Sequence, residues 1–140
     1  MVTTLLALTL FLTAPPENDD HQQTPQDSVK AMNSLLVKKD FKTLYKKHCH
    51  KHLRDQLSEA EFVKYMKSDR GIAIVQLFAK VQSAIKNDKG DDFLIARPQE
   101  KKDEYEFILV HVEKLSSRKG QQWHLELKRE DNQWKLTDTD

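Results

Sequence analysis

The sequence predicts an α+β fold in which helices precede an antiparallel sheet. From Thr24 to Asn87, apolar residues recur at three- and four-residue spacing, the period of amphipathic helices. From Asp92 onward the period becomes two, which is typical of strands, and turn residues separate four such segments. Helices that need an apolar face covered, followed by consecutive antiparallel strands, indicate an α+β roll with about four strands.

The length of 140 residues suits one domain behind an N-terminal leader. Residues 1–14 contain an apolar run much shorter than the roughly 20 residues that span a bilayer, so we expect a signal peptide or apolar leader, although no basic residue precedes the run. Residues 15–23 carry no apolar side chain to bury and should form a flexible tether. The domain then covers residues 24–140. We expect a secreted or periplasmic protein without a stable membrane span once the leader is removed; the alternative is a cytosolic protein with a disordered or packed apolar N-terminus.

The first two helices have clear start signals. Thr24 is a typical N-cap, Pro25 suits the first helical position, and Asp27 complements the helix dipole in the first turn. This helix should run to about Lys39. Asp40 can then cap a second helix, whose apolar stripe continues as far as the sequence His-Cys at its end.

Two further helices are predicted before the sheet. Ser58 and Glu61 have the spacing of a capping box, which opens a third helix. Gly71 is expected to bend or interrupt it. The segment Ile72–Ile85 is apolar around much of its circumference, so it should be the most buried helix, and Asn87 marks its end.

The strands differ in how much of each face is apolar. Phe93–Arg97 is short, and the proline that follows closes it or places it at a sheet edge. Glu104–Leu115 is apolar on both faces in its middle, which predicts a central strand covered on both sides. Trp123–Lys128 alternates apolar and polar residues, Glu130–Asn132 makes a tight turn, and Trp134–Leu136 continues the alternation.

Three segments together resemble nuclear-transport-factor-2-like domains, the superfamily of the cystatin-like roll. The first is the capped opening helix that runs into Asp40-Phe41. The second is the segment His52–Ser58 followed by Glu61-Phe62, and the third is the closing segment Asp131–Leu136. The second and third segments resemble the same places in small exported members of the superfamily. The resemblance covers Thr24 to Leu136. It implies helices wrapped by a curved sheet that encloses a pocket. The superfamily includes isomerases, dehydratases, polyketide cyclases and many non-catalytic binding or assembly domains, so the resemblance predicts fold better than function.

The sequence His48-Cys49-His50-Lys51-His52 contains types of side chain that bind transition metals. On one continuous helix His48 and His52 would lie one turn apart and could share an ion. The adjacent lysines would repel a cation, however, and Cys49 and His50 would point elsewhere. In the alternative interpretation, Cys49 is a small core residue and the histidines lie at a partly exposed helix end. We therefore predict no metal site and no cofactor.

Four side chains of the sheet are candidates for lining a ligand pocket: Tyr105, Phe107, His111 and Trp123. His111 shares a predicted strand face with Tyr105 and Phe107, and a pocket enzyme would need such a titratable group within an apolar pocket. No catalytic residue can be assigned from the sequence. The predicted function is that of a non-catalytic domain of the cell envelope or exterior that binds a small apolar ligand or a protein. The alternative is a small pocket enzyme of isomerase or dehydratase type.

The charge pattern argues against nucleic acid as a partner. The chain carries 23 basic and 22 acidic residues, which alternate along most of its length as on an ordinary solvated surface. Basic residues between Lys38 and Arg54 could meet an acidic partner or lipid head groups, or form a solvated helix face. The resemblance also implies a homodimer formed through the sheet.

Overall fold

The computed structural model describes residues 23–86, 92–98, 102–111 and 122–139. The predicted leader and all but the last residue of the predicted tether lie outside these ranges. Within them, five helices precede an antiparallel sheet, which confirms the α+β class. The helices are α1 (Pro25–Val37), α2 (Phe41–His48), α3 (Lys51–Gln56), α4 (Glu59–Met66) and α5 (Asp69–Lys86). The strands are β1 (Asp92–Pro98), β2 (Glu104–His111), β3 (Gln122–Glu130) and β4 (Gln133–Thr139).

Two of the three predicted helix starts, at Thr24 and Ser58, are formed as reciprocal capping boxes. The backbone N–H of Asp27 donates to Oγ1 of Thr24 over 3.1 Å, and the N–H of Thr24 donates back to Asp27 over 3.3 Å. At α4, the N–H of Glu61 donates to Oγ of Ser58 over 3.3 Å, and the Ser58 N–H donates to Glu61 over 2.8 Å. Each box satisfies donors that a helix start would otherwise leave without a partner.

The region after α2 differs from the continuous helix that a shared His48–His52 metal site requires. Cys49 is extended and forms a parallel bridge with Leu136 of β4, and the N–H of His50 donates to the Leu136 carbonyl over 2.7 Å. The backbone therefore leaves the helix in order to pair with the free edge of β4. The short helix α3 follows, and periodicity does not predict it because none of its residues is buried.

The expected interruption at Gly71 is displaced by a few residues. The break between α4 and α5 falls at Lys67 and Ser68, and Gly71 lies within the first turn of α5. Ser68 caps α5, since its Oγ accepts a hydrogen bond from the Gly71 N–H over 3.4 Å. A Cβ atom on Gly71 would lie 2.3 Å from the carbonyl oxygen of Met66, so glycine is required by the close approach of two helices, not by a bend.

The described strands pair in sequence order, β1-β2-β3-β4, and the sheet that they form is not closed into a barrel. Cross-strand partners such as Phe107 and Leu125 lie on the face that packs against the helices. β2 is central as predicted, and Phe107 and Ile108, on its opposite faces, are 1% and 5% exposed. The segment beyond His111 of the predicted long strand lies outside the described residues.

One core joins the helices to the sheet. Ser28 of α1 is fully buried and donates a hydrogen bond to the carbonyl oxygen of Trp134 in β4. The hairpin between β3 and β4 turns at Asp131 and Asn132, which both have positive φ, as a type I′ turn requires. In the ranges described, no helix combines the length and apolar character needed to cross a membrane. The buried core includes Val29, Met32, Leu36, Leu44, Phe62, Phe78 and Val81 of the helices and Phe107, Leu125, Leu127, Trp134 and Leu136 of the sheet.

Candidate functional site: an apolar cavity between the helices and the last strand

A cavity of about 170 Å³ lies between helices α2 to α5 and strand β4. Most of its wall is aliphatic or aromatic, and the end of β4 contributes its polar part. Tyr65, which is 38% exposed, and the exposed Asp138 place the opening at the surface. The lining residues are Leu44, Leu53, Leu57, Phe62, Tyr65, Met66, Ile74, Phe78, Leu136, Thr137, Asp138 and Thr139.

The polar end of the cavity arises from an irregularity in β4. Leu136 pairs with Leu127, whereas Asp138 pairs with Glu126, so Thr137 is an extra residue in the strand. Its hydroxyl donates to the Glu126 carbonyl over 3.1 Å, which satisfies the buried side chain. Beyond this bulge, the side of the strand that faces the helices changes from the even-numbered to the odd-numbered residues.

Three of the predicted pocket residues of the sheet, Tyr105, Phe107 and Trp123, are not among the residues that line this cavity. Phe107 is 1% exposed and belongs to the core. Tyr105 packs against the core with its ring centroid 4.9 Å from that of Phe107 and 6.0 Å from that of Trp134. Burial raises the pKa of the Tyr105 hydroxyl, and a hydrogen bond with Gln26 only partly offsets this effect.

The other two predicted pocket residues lie farther along the same strands. Trp123 is half-buried against the core, and Nζ of Lys80 lies 5.6 Å from the centroid of its ring. His111 ends β2, where its backbone pairs with Asp92, and its side chain lies outside the described part of the structure. A ligand-binding role for these four residues stays a prediction.

His48 and His52 lie on different helices, α2 and α3, and not on the single helix that a shared ion site would need. His48 ends α2, and burial together with the positive charges of Lys135 and Lys47 lowers its pKa. His50 caps α3 through Nδ1, which accepts from the backbone N–H of His52 over 3.1 Å. The residues that the structure describes include no group of three or more metal-binding side chains.

Cys49 is fully buried, as the alternative interpretation of this segment predicts. Burial raises the pKa of its thiol to about 12, although the positive charges of Arg54 and Lys135 act in the opposite direction. Nucleophilic chemistry uses the thiolate, so Cys49 acts as a packing residue.

A charged cluster ties α3 to the hairpin between β3 and β4. Its centre is Glu130, whose side chain is 17% exposed. Nζ of Lys135 lies 2.7 Å from Oε2 of Glu130, and Nη2 of Arg54 lies 3.4 Å from the same oxygen. The backbone N–H of Lys51 donates to Oε1 over 3.0 Å. Burial alone would raise the pKa of Glu130, but the hydrogen bonds from Lys135 and Lys51 and the neighbouring cations outweigh it and lower the pKa.

The face of the sheet that points away from the helical core carries further cross-strand pairs. Nζ of Lys128 lies 3.3 Å from Oε1 of Glu104, and Nδ1 of His124 contacts Oε1 of Glu106. A homodimer through this face, which stays a prediction, would have to cover or exchange these charged pairs.

The lysines of the predicted basic surface are exposed, whereas Arg54 is half-buried beside Glu130. Lys42 of α2 faces Lys64 and Lys67 of α4 across an open groove, while Lys46 lies 3.5 Å from Glu59. Such pairs contribute little to stability in water. An acidic partner or lipid head groups at this surface stay a prediction.

No family model matches the chain, and comparison with curated proteins and with solved structures finds no similar protein. The resemblance to nuclear-transport-factor-2-like domains therefore stays a prediction. The cavity residues were missed because Leu53, Leu57 and Ile74 have the spacing of ordinary core positions. Only the distances between packed elements reveal that their side chains leave space.

Proposed function

We propose that this chain is a non-catalytic domain of the cell envelope or exterior that binds a small apolar ligand in the cavity between α2–α5 and β4. The observation that carries the proposal is the cavity itself. Small-ligand sites are concave and mostly apolar with a few polar groups, and this space of about 170 Å³ has an apolar wall and a polar end at β4.

The volume and the wall together define the kind of ligand. Engineered apolar cavities of about 150 Å³ remain dry and take up benzene or xenon. The space here is comparable, and sites for drug-sized molecules are larger, at roughly 300–1,000 Å³. The ligand that fits is therefore a single ring or a short branched chain, with any polar group directed toward Thr139 at the end of β4.

The predicted superfamily is part of this proposal. Helices followed by an antiparallel sheet, with a cavity between them, are what a nuclear-transport-factor-2-like domain implies. The alternative of an isomerase or dehydratase stays a prediction, and no specific feature of the cavity favours it.

Binding of fluorobenzene, followed by 19F NMR titration, tests the proposal. Ile74 lines the cavity, and a tryptophan there would fill space that the ligand needs, so Ile74→Trp should weaken binding at least tenfold. Ile72 is 51% exposed on the same helix and does not line the cavity, so Ile72→Trp should leave the affinity unchanged. Equal affinities of the two variants, or no saturable binding by the unmodified protein, would contradict the proposal.

A further inference from the structure

The cavity wall formed by α3 is attached differently from the other walls. α3 has six residues, Lys51 to Gln56, and none of them is buried. Leu53, together with Leu57 just after the helix, nevertheless lines the cavity. Leu53 packs against the core but is only partly buried, as is Leu57, so this wall can move away at a lower cost than the fully buried elements.

Polar contacts hold this segment in place at its beginning. Glu130 accepts the backbone N–H of Lys51 over 3.0 Å and faces the guanidinium of Arg54 at 3.4 Å. Nη1 of Arg54 also donates to the carbonyl oxygen of Cys49 over 2.6 Å. Since Glu130 belongs to β3 and also pairs with Lys135 of β4, these contacts attach α3 to the sheet.

A second attachment lies at the other end of α3. The hydroxyl of Tyr45 in α2 contacts the carbonyl oxygen of Leu57 as a hydrogen-bond donor and lies 3.3 Å from that of Arg54. The Tyr45 ring packs on Phe62 with a centroid separation of 5.4 Å, so its position is set independently of α3. Both attachments are polar and can be broken and remade as the helix moves.

From these contacts we infer that α3 is a lid beside the surface opening of the apolar cavity, that its movement widens this opening for ligand, and that Glu130 and the Tyr45 hydroxyl hold it in place. The inference rests on the proposed function, because a lid controls access only if the cavity is occupied. Opening of α3 would uncover Leu53 and Leu57 while the rest of the core stays packed. The strength of the two polar attachments then sets how fast ligand enters and leaves.

The test compares hydrogen exchange and fluorobenzene exchange in the full chain. Glu130→Gln removes the charge that holds Arg54, which should raise the exchange rates of the Arg54 and Leu57 amides about tenfold. Association and dissociation of fluorobenzene, measured by 19F line shape, should accelerate by a similar factor. The amide of Phe62 in α4 should keep its exchange rate.

A matched control and a second variant separate this role from general stability. Glu104 is 19% exposed and also pairs with a lysine, Lys128, but it does not contact α3, so Glu104→Gln should change neither rate. Tyr45→Phe keeps the ring and removes only the hydroxyl, and it should act in the same direction as Glu130→Gln.

The outcomes distinguish the lid from the binding site. Equal acceleration of the α3 and α4 amides, or unchanged rates in both Glu130→Gln and Tyr45→Phe, would overturn the lid. If fluorobenzene does not bind at all, the proposed function fails, whereas selective exchange of the α3 amides in the ligand-free protein would still support opening of this helix. In the ligand-free protein, equal protection of the α3 and α4 amides from hydrogen exchange would overturn the lid as well.

Discussion

At the scale of single residues, the molecule depends on polar groups that are buried with a partner. Ser28 is 0% exposed, and its hydroxyl donates to the carbonyl oxygen of Trp134, far away in the sequence. This hydrogen bond joins the first helix to the last strand. Removing one partner of a buried hydrogen bond leaves the other without water or protein to bond to, which is where most of the cost arises.

Replacement of Ser28 by alanine should therefore lower the free energy of unfolding by about 1–3 kcal/mol. Ser34 is exposed on the same helix, and Ser34→Ala should be neutral or slightly stabilising because alanine favours helix. Urea denaturation of the two variants and the unmodified protein measures both changes. Equal stabilities of the two variants would show that the bond between Ser28 and Trp134 contributes nothing.

The local sequence predicted the helix caps but not the partners of the buried polar side chains. Thr24 and Ser58 were predictable as caps because their function depends on neighbours three residues away. The partners of Ser28 and Glu130 were not predictable, since each lies across the fold and no local pattern marks it. The same limit applies to Tyr105 and Trp123, whose spacing shows a strand face but not what covers it.

At the scale of elements, the junction between α4 and α5 shows how a glycine can be required within a helix. Gly71 is buried in the first turn of α5, and the Met66 carbonyl lies where its Cβ would be. The sequence pattern correctly predicted that the helical structure is interrupted close to Gly71. It could not tell a bend from a close approach, because both use glycine.

Gly71→Ala should destabilise the protein, although alanine normally stabilises the interior of a helix by about 1 kcal/mol relative to glycine. A Cβ at 2.3 Å from a backbone oxygen forces α4 and α5 apart, and this cost exceeds the gain in helix propensity. Thermal unfolding followed by circular dichroism gives the sign of the change. A higher melting temperature for Gly71→Ala would contradict the close packing of the two helices.

The remaining elements show where sequence patterns succeed. The alternation in β2 and β3 predicts strands whose apolar residues meet in register, and Phe107 and Leu125 do so. The helix α3 escapes such patterns because its fold depends on the carboxylate of Glu130 and on the edge of β4. Elements held by distant polar contacts are the ones that periodicity misses.

At the scale of the whole molecule, the order of helices and strands was predictable because each periodic pattern of apolar residues continues over a long stretch of the sequence. The position of the cavity was not, since a cavity results from how well facing surfaces fit. Leu44, Phe62, Phe78 and Leu136 have the pattern of core residues and are buried, yet they leave a space between them. Phe107, one of the sheet residues expected to line a pocket, is buried in the core, and its ligand-binding role stays a prediction.

The central claim is that this space accepts an apolar ligand, and a crystal of the protein pressurised with xenon tests it most directly. Xenon occupies dry apolar cavities and is located by its anomalous scattering. We expect a xenon atom between Phe62, Phe78 and Leu136, with little movement of the surrounding side chains. A cavity that is closed by repacking, or one that holds ordered water and no xenon, would contradict it.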